Sequence, residues 1–226
     1  MRAKEFINEI SRRGFLKGAG AAAATGAALS PFIFNKPEVT EPEVTKDEPV
    51  VKKHVPVLSS NPALEKILHQ VAATAKPPIE GIELAQFLAQ CYHESTGFSR
   101  MKEKGGPKYF KKLYDIAHNP RLAKILGNLH IGDGIRYHGR GFIQLTGREN
   151  YRKAGIAIGQ PLEDNPELAS NPTIAAEIAV WYWTKRVRPY VSDFSDTSAI
   201  TRKINSKLEG LESRESVFNQ YIKSMH

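Results

Sequence analysis

Two glutamates carry the chemistry that this sequence offers most plainly. Glu94 and Glu103 stand nine positions apart in LAQFLAQCYHESTGFSRMKE, which runs from Leu84 to Glu103. Leu84, Phe87, Leu88 and Cys91 recur at helical spacing, and Ala85, Ala89 and Tyr92 widen the same apolar face. Gly97, after Ser95 and Thr96, should stop that helix, so Glu94 falls in its last turn. A carboxylate there faces the negative end of the helix dipole and rests on an apolar stripe, and both effects favour the protonated acid. Glu103 lies in the Lys- and Gly-rich segment KEKGGPK, where positive neighbours and solvent should hold it ionised. Two carboxyl groups with opposed environments are what general acid and general base work requires. On these residues alone, two solvated glutamates near a helix end remain the ordinary alternative.

His93-Glu94 also invites a zinc reading. It fails, because position 97 is Gly and no second His stands at helical spacing. His118, His130 and His138 lie in loop-like sequence without ligand spacing. No metal and no other cofactor is expected.

Whole-chain composition narrows the partners. The chain has 226 residues, is 41% hydrophobic and carries a net charge of +8, with a pI near 9.5. That balance suits an anionic partner such as nucleic acid, a membrane surface or an acidic wall polymer. No basic run is interleaved with aromatics, so nucleic acid is not expected. Cys91 is the single cysteine and cannot form an intramolecular disulfide. On the apolar face of its helix it reads as a small buried hydrophobe.

The elements that must position these residues begin well inside the chain. Residues 1–34 pair a polar head with Ser11-Arg12-Arg13-Gly14-Phe15-Leu16-Lys17 and then GAGAAAATGAALSPFIF. This resembles a bacterial twin-arginine export signal, and it implies that the export machinery of that pathway is a partner. A cut after Ala28 and a retained anchor both remain open. Residues 35–58 are rich in Pro and charge, with PEVT twice in tandem, and read as a stiff linker. The folded domain is expected over residues 59–226.

Within it, Asn61-Pro62 should cap a helix bearing Leu64, Ile67, Leu68 and Val71. Short helices are expected at 109–116 and 120–126, the latter closed by Gly127. From 132 to 147 five glycines fall in sixteen positions, which reads as a functional loop or short hairpin. Asn165-Pro166, Asn171-Pro172, Asp196 and Ser213 read as further helix starts. No long alternating run predicts a sizeable sheet, so the domain should be mainly α.

These segments together resemble the family 19 glycoside hydrolases, which include chitinases and phage-type endolysins. The resemblance rests on His93-Glu94-Ser95, on GDGIRYHGRG from Gly132 to Gly141, on FIQLTGRENY from Phe142 to Tyr151, and on ITRKIN from Ile200 to Asn205. It implies a lysozyme-like fold of two helical lobes flanking a substrate groove. It further implies Glu94 as general acid, Glu103 as general base, and Thr146 as a holder of the attacking water. His93, Tyr137, Gln144, Asn150 and Asn205 fall at positions implied to contact substrate. Glu209 and Arg214 resemble a pair supporting the acid from behind, and Arg140 a further supporting group. His138, and Asn205-Ser206-Lys207 in place of Asn-Gly-Gly, depart from common members.

The reading reached is an exported hydrolase of the peptidoglycan backbone, acting in the periplasm or envelope as a monomer, from a bacterium or a phage. A chitinase is the alternative, and a wall-binding protein with little catalysis a third.

Overall fold

A computed structural model describes residues 61–225. The signal-like segment, the linker and the expected domain start at Ser59 lie outside the described residues. Asn61 opens α1 (Pro62–Ala73) as expected, its side chain accepting from the Leu64 amide at 3.3 Å. The central helix follows as α2 (Gly81–Glu94). Then come α3 (Pro107–Tyr114), α4 (Pro120–Leu126) and a single turn, α5 (Asp133–Arg136). The order continues with α6 (Arg148–Ile158), α7 (Pro172–Tyr182), α8 (Thr197–Ile204) and α9 (Leu211–Met225). Among the described residues, extended pairing is limited to two isolated antiparallel bridges, Lys102 with Arg140 and Arg140 with Leu145. The chain is mainly α, and the Gly-rich stretch closes a minimal hairpin at Arg140 and Leu145.

Several local expectations change. Residues 148–158 form a full helix that the polar sequence RENYRK did not announce. Asn165-Pro166 starts only a short 3-10 turn, Pro166–Ser170, without a side-chain cap. Ser213 is not a cap; α9 already begins at Leu211, and the Ser213 hydroxyl lies 3.2 Å from His93 Nδ1. Asn171 and Asp196 do cap their helices.

The core divides in two. The larger cluster packs α2 against α9 and α1 against α7, with Leu68, Phe87, Leu88, Trp183 and Tyr221 buried. A smaller cluster gathers Phe110, Leu113, Tyr114 and Leu126, with Leu122 and Ile135 packed on it. The first carries Glu94; the second supports Glu103. Helix α2 is buried nearly all round, polar residues included: Gln86, Gln90 and Glu94 are all buried. A helix so enclosed must satisfy its polar groups internally, and its partners define one half of the site.

Candidate active site

Gln86, Gln90 and Glu94 recur every fourth residue, so they form one row along α2. The row meets α8. Gln86 Nε2 donates to Thr197 Oγ1 at 2.6 Å and Gln90 Nε2 to Thr201 Oγ1 at 3.2 Å. Both pairs have the same sequence offset, 111 residues, so the helices run side by side in register. Continued by one turn, that offset of 111 pairs Glu94 in number with Asn205, the residue that ends α8.

Arg214, fully buried on α9, binds this row from a third side. Its Nη2 donates to Glu94 Oε1 at 2.6 Å, and its Nη1 donates to Gln90 Oε1. The Glu94 carboxyl is buried, as its apolar helix face suggests, and it lies against the guanidinium of Arg214, the residue that the resemblance set behind it. Glu209, expected to join Arg214, is exposed and forms no ion pair among the described residues. Gln90 takes the place assigned to it, because four residues along α2 point it at the same guanidinium. Beside Glu94, burial and then the Arg214 charge push the His93 imidazole down to about 4. Gly210, with φ near +74°, leaves room for that ring, since a Cβ there would lie 2.0 Å from His93 Cε1.

Glu103 is built differently. Tyr114 OH donates to its Oε1 at 2.8 Å, and the Gly139 amide donates to its Oε2 at 3.0 Å. The Glu103 amide in turn donates to the Gly139 carbonyl at 2.9 Å, which pins the two segments together. Burial raises the carboxyl pKa, and the Tyr114 and Gly139 hydrogen bonds pull it back. This corrects the expectation of a solvated glutamate held ionised by lysines. Lys102, next in sequence, turns away to Glu167 at 2.6 Å.

Two glycines make this arrangement possible. A Cβ on Gly139 would lie 2.9 Å from Gln144 Oε1 and 3.1 Å from Glu103 Oε2. A Cβ on Gly134 would lie 2.6 Å from the Asp115 amide, against the backbone that carries Tyr114. Neither Tyr114 nor Gly139 had been singled out as holding Glu103. Tyr114 reads as a core aromatic on the apolar face of α3, and a backbone amide leaves no mark in sequence.

The remaining expected site residues divide. Gln144 stays near Glu103 across Gly139; its backbone is left-handed, φ 50°, and its Nε2 donates to the Gly141 carbonyl at 2.9 Å. Asn205 is buried, its Oδ1 accepting from the Lys207 amide at 3.0 Å and its Nδ2 without a partner among the described residues. Thr146, expected to hold water, is buried, and its hydroxyl donates to the Gln144 carbonyl at 2.8 Å, which braces the turn. Asn150 is buried and donates to the Thr146 carbonyl at 2.7 Å. Tyr137, expected at substrate, is buried in the core with its hydroxyl donating to the Glu163 carbonyl.

Arg140 is buried and ties the loop to its surroundings through the Arg136 and His138 carbonyls, Tyr151 and Glu167. Bonded to Lys102 as well as to Arg140, Glu167 has its carboxyl held down to about 2. His138 stacks on Phe110 with centroids 4.3 Å apart. Among the described residues no group of three or more His, Cys, Asp or Glu could hold a metal ion.

Comparison with known proteins follows the same outline. The family model described as chitinase class I, glycoside hydrolase family 19, matches residues 65–208. The model for twin-arginine translocation signals matches residues 9–28. A family 19 domain-containing protein of Haemophilus influenzae is 33% identical over 158 residues, covering 60% of this chain and 76% of that protein. An endochitinase of Arabidopsis thaliana is 35% identical over 134 residues, but the chain spans only 42% of its length. In structure the chain is similar to chitinase C of Streptomyces griseus, with a TM-score of 0.55 and 26% identity, over 70% of this chain and 68% of that one. Since the family model covers more than half of the 226 residues, the chain belongs to glycoside hydrolase family 19 and is a glycoside hydrolase.

Proposed function

We propose that this exported enzyme hydrolyses the β-1,4-linked aminosugar backbone of peptidoglycan, with Glu94 as general acid and Glu103 as general base. The observation that carries the reading is the unequal way the two carboxyl groups are held. Glu94 Oε1 is occupied by Arg214, and no described residue hydrogen-bonds Oε2, which leaves that oxygen to carry the proton. Once the proton passes to the glycosidic oxygen, the guanidinium steadies the carboxylate left behind. Glu103 accepts from Tyr114 and Gly139 on different oxygens, which fixes its plane while a lone pair stays open on each. Its burial makes it a stronger base than an exposed carboxylate, suited to taking a proton from water. Attack by that water on the face opposite the leaving group inverts the anomeric carbon.

Gln144 beside Glu103 and Asn205 in register with Glu94 are the side chains best situated to hold the sugar, with His93 at the edge. Thr146 and Asn150 act through the turn they stabilise. The net charge of +8 and the twin-arginine signal favour an anionic wall polymer over neutral chitin. Chitin is the second reading, favoured by the chitinase names of the plant and Streptomyces relatives. Mass spectrometry of muropeptides after digestion tests the choice. Shortened glycan strands with intact peptide stems are expected; products from chitin oligomers alone would reverse it.

A further inference from the structure

The net charge of the described chain resides in one segment. Residues 61–225 hold 23 Lys and Arg against 17 Asp and Glu, and residues 100–124 alone hold eight against two. Outside that segment the signs balance, fifteen against fifteen. Its two acids also face inward. Asp115 is fully buried and accepts from the Gly132 and Ala117 amides, and Glu103 is held by Tyr114 and Gly139. The exposed charges beyond Lys102 are therefore of one sign: Lys104, Lys108, Lys112, Arg121 and Lys124. None of the five forms an ion pair among the described residues.

Their arrangement is ordered. Lys108 and Lys112 are four apart on α3, Arg121 and Lys124 three apart on α4, so each pair shares a helix face. Like charges at those spacings repel, and among the described residues no carboxylate stands within ion-pair distance of them. The two helices pack on each other. The surface adjoins the catalytic centre, because Tyr114, the last residue of α3, donates to Glu103.

We propose that this basic surface binds the carboxylates of the peptide stems on a wall glycan strand whose backbone lies at Glu94 and Glu103. The proposal rests on the peptidoglycan reading. Neutral chitin offers such a surface nothing to pair with, whereas a strand carrying stems at regular intervals meets several cations at once. A membrane is the weaker fit. Helix α3 turns Phe110, Leu113 and Tyr114 inward, while a helix lying on lipid presents its apolar face outward. Ile125, Leu129 and Ile131 are nonetheless exposed just beyond, so anionic vesicles belong in the test.

The experiment measures binding of the full chain to insoluble sacculi, in a Glu94→Gln background so that strands stay intact. Native sacculi are compared with sacculi whose stem carboxyls are amidated. Native sacculi should bind about 10-fold tighter at low salt, with the difference fading above roughly 0.5 M salt. The K108Q/K112Q/R121Q/K124Q variant should lose that preference, while K66Q/K153Q/K185Q/K223Q, equal in charge removed, should keep it. Thermal melts confirm that both variants fold. Equal binding to native and amidated sacculi overturns the proposal. So does equal loss in both variants, or a preference for phosphatidylglycerol vesicles over sacculi. The peptidoglycan reading itself is judged separately, by whether the unsubstituted chain releases reducing ends from native sacculi.

Discussion

At the scale of single residues, the two carboxyl groups differ by what each is bonded to rather than by exposure alone. Glu103 is pushed up by burial and pulled back by Tyr114 and Gly139. Tyr114→Phe removes one of the two bonds that favour the charged form, so the Glu103 pKa should rise further. A base must be ionised, so the acidic limb of the kcat/KM profile should move to higher pH in that variant; an unmoved limb would separate Tyr114 from the base. Gly139→Ala should cost roughly 10²-fold in kcat, because its methyl must displace either Glu103 or Gln144. His93 gives a stability effect with a defined sign. Its folded pKa of about 4 lies below the ordinary 6.5, so the unfolded chain binds more protons between those values. Stability should rise as pH climbs through that window, and His93→Gln should flatten the rise in a series of thermal melts. Glu94 and Glu103 were legible as acid and base candidates. Of their partners, Arg214 was legible through the resemblance, whereas Tyr114 and the Gly139 amide were not, because a hydroxyl from α3 and a backbone donor arrive through the fold.

At the scale of elements, the site is a meeting of four helices, α2, α3, α8 and α9, with the Gly-rich loop. The row Gln86, Gln90, Glu94 was present in the sequence at helical spacing, yet the apolar residues between them drew the reading toward a one-sided amphipathic helix. Enclosure by α8 and α9 turns that row into a ladder. Thr201→Val would leave Gln90 Nε2 buried without an acceptor, at a cost of about 1–3 kcal/mol by denaturant melts. Arg214→Ala should cost more, roughly 3–5 kcal/mol, since it removes the buried partner of both Glu94 and Gln90. A smaller effect of Arg214→Ala than of Thr201→Val would contradict the ion pair as the stronger clamp. Helix starts marked by Asn61, Asn171 and Asp196 were readable because capping is local. Helix α6 was not, since its Gly155 is set by the chain folding back just past the helix end: a Cβ there would lie 2.5 Å from the Gln160 carbonyl.

At the scale of the whole molecule, two cores hold two carboxyl groups, one from the large cluster and one beside the small. How those cores meet sets the space between Glu94 and Glu103, and, on the proposed mechanism, the stereochemistry. The export signal is a separate module, and Arg12→Lys with Arg13→Lys should leave the precursor in the cytoplasm, seen by cell fractionation, because a receptor reads the arginine pair and not charge alone. The mainly α class and the family were legible because the motifs span both cores; the division of the core was not, as it depends on which apolar faces find each other. An inverting pair needs room for a water, with carboxyl groups roughly 6.5–9.5 Å apart, whereas a retaining pair stands near 5 Å. The most direct measurement is NMR of the fresh product anomer from a soluble β-linked oligosaccharide. The account predicts that the α anomer appears first, with Glu94→Gln and Glu103→Gln each abolishing it. First appearance of the β anomer would contradict inversion and remove Glu103 from the role of base.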